Sequence, residues 1–367
     1  MRCCHTLFKP LLYAKAVALA ARDYNHTSGV PASTNSSSID VGNTTMKTRF
    51  CGILLGILAL VTCASHAAEP YPSKPITLIV PFTVGGTTDQ VARILQNELI
   101  REFGQPVIIQ NRVGAGGRVG TAEVARAAPD GYTMLVTFDS FPTDPVIYKD
   151  LSYDIWKDFA PVSLLVRAPL VAATTIGLPA NSITELIAYA KANPGKVSFG
   201  STGAGSSAHL FGEMFMMNTG TNMMHVPYKG GANAMTDMMT GNLDIFWGST
   251  AFAQTVANSG KVKFLAQTGE SRNDRFPNVP TLKEQGLPSL DIYGWMGLLA
   301  PAGTPPEIIA RWSAVLKKAG TVPSVADRYR DLGMEIVMSS PAYFTDWLRA
   351  ENKKWGDVIR TGNISVQ

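Results

Sequence analysis

Two short stretches of the chain combine glycine, hydroxyl side chains and the start of a helix. The first is Pro81-Phe82-Thr83-Val84-Gly85-Gly86-Thr87-Thr88-Asp89. The second is Phe199-Gly200-Ser201-Thr202-Gly203-Ala204-Gly205-Ser206-Ser207-Ala208-His209-Leu210. In each, an apolar run ends, glycines let backbone N–H groups turn inward, and Thr, Asp or Ser opens a helix. Unsatisfied N–H groups and the positive end of a helix dipole make such a turn an anion site. Each helix start contributes about 0.3–1 kcal/mol, up to about 2 kcal/mol when partly buried. Two of them facing across a cleft can hold a carboxylate with no Arg or Lys. The plainer alternative is a pair of ordinary strand-to-helix turns in which glycine serves conformation only.

Other chemistries fit less well. Gly203-x-Gly205-x-x-Ala208 matches the dinucleotide fingerprint, but Tyr228 and Lys229 stand where a ribose-binding acid belongs, and Asp237 lies too far on. No G-x-x-x-x-G-K-[ST] phosphate loop and no G-x-S-x-G elbow occurs. Ser206, Ser207 and His209 are close in sequence, yet their helical spacing makes no base–nucleophile pair; His209 reads as a helix-face residue with one hydrogen bond. No catalytic residue is assigned. Arg118, in Gly114-Ala115-Gly116-Gly117-Arg118, reads as a solvated arginine near a turn. All four cysteines (Cys3, Cys4, Cys51, Cys63) precede residue 68, and only His209 and His225 remain after it. A metal centre would need carboxylates almost alone, so neither metal nor cofactor is expected.

Charge points the same way. Six of the 32 basic and two of the 28 acidic side chains lie in residues 1–67, leaving 26 of each in 68–367. A formally neutral body offers no basic excess for nucleic acid. Residues 21–45 are rich in Ser, Thr, Asn and Gly without periodicity. From Met46 the pattern changes to Lys47 and Arg49, an apolar run from Phe50 to Cys63, and small residues at Ser65-His66-Ala67. That order is a secretory signal peptide over 46–67, too short to span a bilayer at about 20 residues. Residues 1–45 are expected to be an upstream extension that is not native. Lipid attachment at Cys63 is disfavoured by the bulky Thr62. A thiol-free body suits export to an oxidising compartment, here the periplasm.

The remaining sequence alternates short apolar strands with amphipathic helices, an α/β pattern. Strands are predicted at 76–81, 107–110, 133–137, 197–200, 224–226, 243–247, 262–267 and 294–300. Helices are predicted at 88–103, 117–127, 182–192 (with a Ser182–Glu185 capping box), 206–218, from 304 to about 319 with Thr304 as cap, and 341–360. The proline-bearing stretch 141–161 reads as a surface loop. Two α/β series and a helical C-terminal part suggest two lobes, 68–172 plus 294–367 and 173–293. The chain would cross between them near 170–176 and 290–296, leaving a ligand cleft.

Across about 70–362 the sequence resembles the receptors of tripartite tricarboxylate transporters, the Bug family. The resemblance rests on YPSKPITLIVPF followed by GG and D, on NRVGAGGRVGTAEVARAAPDGYTML, NPGKVSFGSTGAGSSAHLFGEMF and HVPYKGGANAMTDMMTGNLDIFW, and on FPNVPTLKEQG and WMGLLAPAGTPPEII, in that order. It implies a two-lobe, type II periplasmic binding protein (Venus flytrap) fold with two interlobe crossings. It implies capture of a small organic acid or amino-acid-like solute and delivery to transporter membrane subunits, by a monomer. Carried onto this chain, it implies a first ligand loop at Phe82, Thr83, Gly85, Gly86 and Thr87. A second is implied at Ser201, Thr202, Gly203, Ser206 and Ser207, with Tyr228, Lys229 and Asp244 at the pocket wall.

Several positions depart from the family pattern: Thr83-Val84, Arg118, Thr137-Phe138-Asp139 and Asp144-Pro145. Thr137 and Asp139 join the candidate site. A carboxylate at Asp139 would repel a plain diacid and pair with a ligand amine, and Phe138 and Trp247 are placed to stack on a ring. Two further readings stay open: a secreted α/β enzyme using the Gly203 loop, and an orphan sensor feeding a two-component system.

Overall fold

The structure is a computed structural model of the chain and describes residues 71–362 and 364, apart from 204, 229, 230 and 291. The expectations for the upstream extension, the signal peptide and Cys63 lie outside the described residues. Strand β1 (Ile76–Val80) is buried on both faces, as its unbroken Ile-Thr-Leu-Ile-Val run requires of a parallel strand. Helix α1 (Thr87–Phe103) turns Val91, Ile94, Leu95 and Leu99 inward and stops at Gly104, whose left-handed backbone (φ 66°) returns its N–H to Ile100. Strand β2 (Val107–Asn111), helix α2 (Arg118–Ala125) and strand β3 (Thr133–Phe138) follow, and β1 lies between β2 and β3, parallel to both.

The next segment departs from expectation. Residues 141–161 are no surface loop: Phe141, Thr143, Asp144, Tyr153, Ile155 and Phe159 are buried, and Asp144–Ile147 forms a single-turn helix, α3. Strand β4 then runs from Phe159 to Thr175 and was not anticipated. Prolines at 161 and 169 hid it. Pro161 sits at a shift of register, where the missing N–H is tolerated, and Pro169 is the last residue paired to β9.

The second series comprises α4 (Ile183–Ala192), β5 (Ser198–Ser201), α5 (Ser207–Thr219), β6 (Met224–Pro227), α6 (Gly231–Thr240), β7 (Ile245–Ser249), α7 (Thr250–Ala257) and β8 (Val262–Gln267). At α4 the Ser182 hydroxyl accepts from the Glu185 N–H at 3.1 Å, but the Glu185 carboxylate takes the Asn181 N–H, one residue outside the usual capping box. Helices α6 and α7 were missed. Gly, Asn and Thr weaken the intrinsic propensity of α6, α7 is only eight residues long, and burial of Ala234, Met238, Ala253 and Val256 holds them instead.

The chain closes with β9 (Tyr293–Pro301), α8 (Pro306–Gly320), α9 (Pro323–Asp331), β10 (Glu335–Ile336) and α10 (Pro341–Thr361). Thr304 does not cap α8: Pro305 holds that position and the Thr304 hydroxyl donates back to the Pro301 carbonyl at 2.7 Å. The strand order is β2-β1-β3-β9-β4-β7-β5-β6, with β8 also on β4. Strand β4 pairs with β9 from Phe159 to Pro169, then with β7 from Leu170 and β8 from Val171. One strand therefore serves two sheets, and the two lobes meet along it.

Helix α10 does not stay with one lobe. Phe344 and Leu348 pack with Leu164, Trp295 and Leu299, whereas Trp355, Val358 and Ile359 pack with Phe211, Phe215 and Trp247. Between the two sets lies buried Glu351, which accepts from Trp355 Nε1 at 2.9 Å and Trp295 Nε1 at 3.4 Å and pairs with Lys354 at 2.5 Å. Gly297 of β9 lies directly under the Phe344 ring, and a Cβ there would overlap it. Gly297→Ala is expected to lower stability by about 1–3 kcal/mol, the usual cost of overpacking. An unchanged urea midpoint would contradict this packing of α10 on the sheet.

Candidate functional site

The first glycine turn links β1 to α1. Gly85 takes a left-handed backbone (φ 82°), and Gly86 stands at the helix cap position, where no side chain caps the helix. Asp89, fully buried in the first helical turn, accepts from the Gly85 N–H at 2.8 Å, Arg93 Nε at 2.8 Å and Asn111 Nδ2 at 3.0 Å. Burial opposes the charge on Asp89, but these hydrogen bonds prevail and hold the carboxyl below its ordinary range. Asn111 also donates to the Phe82 carbonyl at 2.8 Å, and the Gly86 N–H goes to Thr83 at 3.1 Å. The turn is thus pinned from beneath. What it offers a ligand is the uncapped start of α1 and the hydroxyls of exposed Thr83 and half-buried Thr87.

The second turn, between β5 and α5, is pinned differently. Ser201 is fully buried, and its Oγ lies 3.2 Å from Gly203 N, 2.9 Å from Gly203 O and 2.7 Å from His225 Nε2. The Gly205 N–H donates to His209 Nδ1 at 3.0 Å, and Ser206 caps α5 by accepting from the His209 N–H at 3.4 Å. The hydrogen-bond pattern assigns the His209 proton to Nε2, beside Glu213 Oε1 at 3.5 Å. The two imidazoles stack 3.8 Å apart, with Phe199 against His225 at 5.0 Å. Burial, then the nearby His209, pushes His225 down to about 4. His209 is therefore a helix residue with one ring hydrogen bond, as expected, but it is buried and anchors the second glycine turn. Thr202 is exposed and is the hydroxyl the loop turns outward, whereas half-buried Ser207 gives its hydroxyl to Asp139.

Several candidates hold the site together without facing a ligand. Ser201 is enclosed, and the N–H groups of Gly203 and Ser206 are both used within the loop. Asp244 accepts from the N–H and hydroxyl of Ser198, three residues and about 10 Å down β5 from Ser201. Tyr228 gives its hydroxyl to Asp237 at 2.8 Å, its phenol is raised to about 12 by burial and by that carboxylate, and its ring packs near Gly200. Lys229 lies outside the described residues. Thr137 is buried, with no hydrogen-bond partner for its hydroxyl among the described residues. Asp139 is hydrogen-bonded to Ser207, and burial, assisted by the negative charge of Glu351, raises it to about 7. Its carboxyl is tied to the start of α5 by that bond and to the Ser140 backbone by another. Trp247 is enclosed between Phe211 and Phe215 and cannot stack on a ring. Phe138 can, for it is half-buried and meets Phe82 edge-on at 4.2 Å.

Arg118 is half-buried, not a solvated arginine. Gly117, with a left-handed backbone (φ 96°), lies against Phe138 and Phe82; a Cβ there would come 2.9 Å from the first and 3.3 Å from the second. The Arg118 guanidinium stands 3.5 Å above the Tyr148 ring, and the Tyr148 hydroxyl lies 3.5 Å from where a Gly205 Cβ would be. One line of contacts, Phe82–Phe138–Gly117–Arg118–Tyr148–Gly205, therefore joins the two glycine turns. The signal was the Gly-Ala-Gly-Gly-Arg run before a helix, a third turn of the same design. A separate recess of about 550 Å³ along α8, lined by Ile309, Ala310, Ala314 and Lys317 among others, touches neither turn. Among the described residues no group of three or more His, Cys, Asp or Glu side chains is arranged for a metal, and no helix is long and apolar enough to cross a membrane.

The sequence model described as tripartite tricarboxylate transporter family receptor matches residues 91–364. The chain belongs to that family. Protein BugT of Bordetella pertussis is 34% identical over 299 residues, 81% of this chain and 92% of that protein. Among solved structures, periplasmic binding protein BugD superposes with a TM-score of 0.73 at 33% identity, covering 81% of this chain and all of that one. Rpa4515 of R. palustris, solved with adipate, superposes with a TM-score of 0.75 at 32% identity, covering 80% and 99%. The family and these neighbours agree with the two-lobe α/β architecture read from the strand order, and with a solute receptor of the periplasm.

The anchoring histidines predict a pH effect. His225 has a folded value near 4 against an ordinary imidazole near 6.5, so between these values the unfolded chain binds more protons. Its contribution is complete above about 6.5 and is lost as pH falls toward 4. In urea titrations the stability advantage of the wild type over His225→Gln should shrink across that window; a gap constant with pH would contradict the burial of this imidazole.

Proposed function

We propose that this receptor captures a small carboxylate-bearing solute between its two glycine turns and presents the closed form to the membrane subunits of a tripartite transporter. The observation that carries the reading is the line of contacts just described. It supports reading the uncapped start of α1 and the start of α5 as the two sides of one site. Each start brings backbone N–H dipoles, and Thr83, Thr87 and Thr202 add neutral donors. The neighbour solved with adipate supports the same chemistry.

The lobes in this reading are 68–172 with 294–367, and 173–293, with α10 reaching from one to the other. A solute touching both favours the closed form by its differential affinity for that state. The protein acts as a monomer, exported by the segment 46–67, with 1–45 foreign to it and no lipid on Cys63. Micromolar affinity corresponds to about −8 kcal/mol.

Catalysis has no support at the loop. The Ser201–His225 contact is of nucleophile–base length, but Ser201 is fully enclosed and His225 is a weak base. Ser206 and His209 are each occupied by a backbone N–H. Nor does any feature favour a separate sensor.

Calorimetry on protein purified from the periplasm, titrated with small mono- and dicarboxylic acids, tests the reading; saturable binding without turnover is expected. Thr202→Ala should weaken that binding about fivefold, the worth of one hydrogen bond near 1 kcal/mol, and leave the thermal midpoint unchanged. Full affinity in this variant would remove the second turn from the site.

A further inference from the structure

Thirteen arginines lie in the described residues, and nine of them have a carboxylate within 4 Å. Of the four without one, Arg126, Arg311 and Arg328 are exposed, and a solvated guanidinium needs no partner. Arg118 is the half-buried exception. The acid that acts on it electrostatically, Asp144, is buried and accepts from the Tyr153 hydroxyl at 2.5 Å. Asp139 is bonded to Ser207. The Arg118 guanidinium is thus partly desolvated, stands over the Tyr148 ring, and has no hydrogen bond to a described acid.

A cation withdrawn from water without a partner is unfavourable, and an aromatic face offsets only part of that. The ring covers one face of the guanidinium and leaves its N–H edges available. Those edges form a fork suited to the two oxygens of a carboxylate. Their place is also informative. Arg118 is the first residue of α2, next to Gly117, which touches the Phe82–Phe138 pair of the first turn, and its Tyr148 platform reaches Gly205 of the second. The cation therefore sits between two uncharged anion sites and coincides with neither.

We propose that Arg118 is the specificity-determining residue of the cleft: it pairs with a second anionic group of the solute, distant from the carboxylate held at the helix starts, and so selects dianionic over monoanionic acids. This rests on the receptor reading above and adds a discriminating residue to it. A purely structural role, with the arginine only bracing Tyr148, makes a different prediction.

The test compares straight-chain dicarboxylic acids of four to eight carbons with monocarboxylic acids of the same lengths, by calorimetry on the exported protein purified from the periplasm. Wild type, Arg118→Gln and Arg118→Lys are each titrated, and each is checked by a thermal melt. The wild type should prefer at least one diacid to its monoacid by about 10- to 100-fold, the range for charge-assisted hydrogen bonds. Arg118→Gln should lose that preference while binding the monoacid within about twofold of wild type. Arg118→Lys, which keeps the charge without the fork, should fall between them and decides the matter alone if the glutamine variant does not fold. A diacid preference undiminished in the variants, or an equal loss for both kinds of acid, overturns the inference and leaves the receptor reading intact. A wild type that binds no acid overturns both.

Discussion

The structure depends on one strand being shared by two sheets. Residues Phe159–Pro169 of β4 are bonded to β9, and Leu170–Thr175 to β7 and β8. The two sheets are therefore joined along β4, and Pro169, opposite Tyr293 at the start of β9, marks where its pairing passes from one to the other. Helix α10 adds a second restraint, since its two halves are buried in different cores around the enclosed Glu351.

The two turns are rigid for different reasons, and the difference bears on function. Below the first, a buried carboxylate gathers the Gly85 N–H, Arg93 and Asn111. Below the second, stacked imidazoles hold Gly205 and Ser201. In both, the turn glycines at 85, 86, 203 and 205 already have partners for their N–H groups, which in the proposed reading leaves a ligand the helix starts and a few hydroxyls. Preorganised donors of this kind lose little entropy on binding, which is how an uncharged site reaches useful affinity.

Much of this was legible beforehand. Strand β1, the strands of the second series and the glycine turns follow from apolar runs and glycine positions, and the family follows from motif order. What was hidden has physical causes. Prolines at 161 and 169 disguised β4 because their missing N–H groups fall at a register shift and at the end of a ladder. Helices α6 and α7 owe their form to burial and not to propensity. Within the site, Ser201, Tyr228 and Asp244 have the right chemistry, but what their polar atoms bond is a tertiary fact. Arg118 is the converse case. A lone arginine after glycines looks solvated until the fold brings Tyr148 beneath it.

The most direct test of the central claim is a crystal structure of the exported protein with a bound small carboxylic acid. The account predicts carboxylate oxygens within hydrogen-bonding distance of both helix starts, at 83–88 and 202–208, with the acid chemically intact. An acid seated away from either turn, or held by one alone, would contradict it.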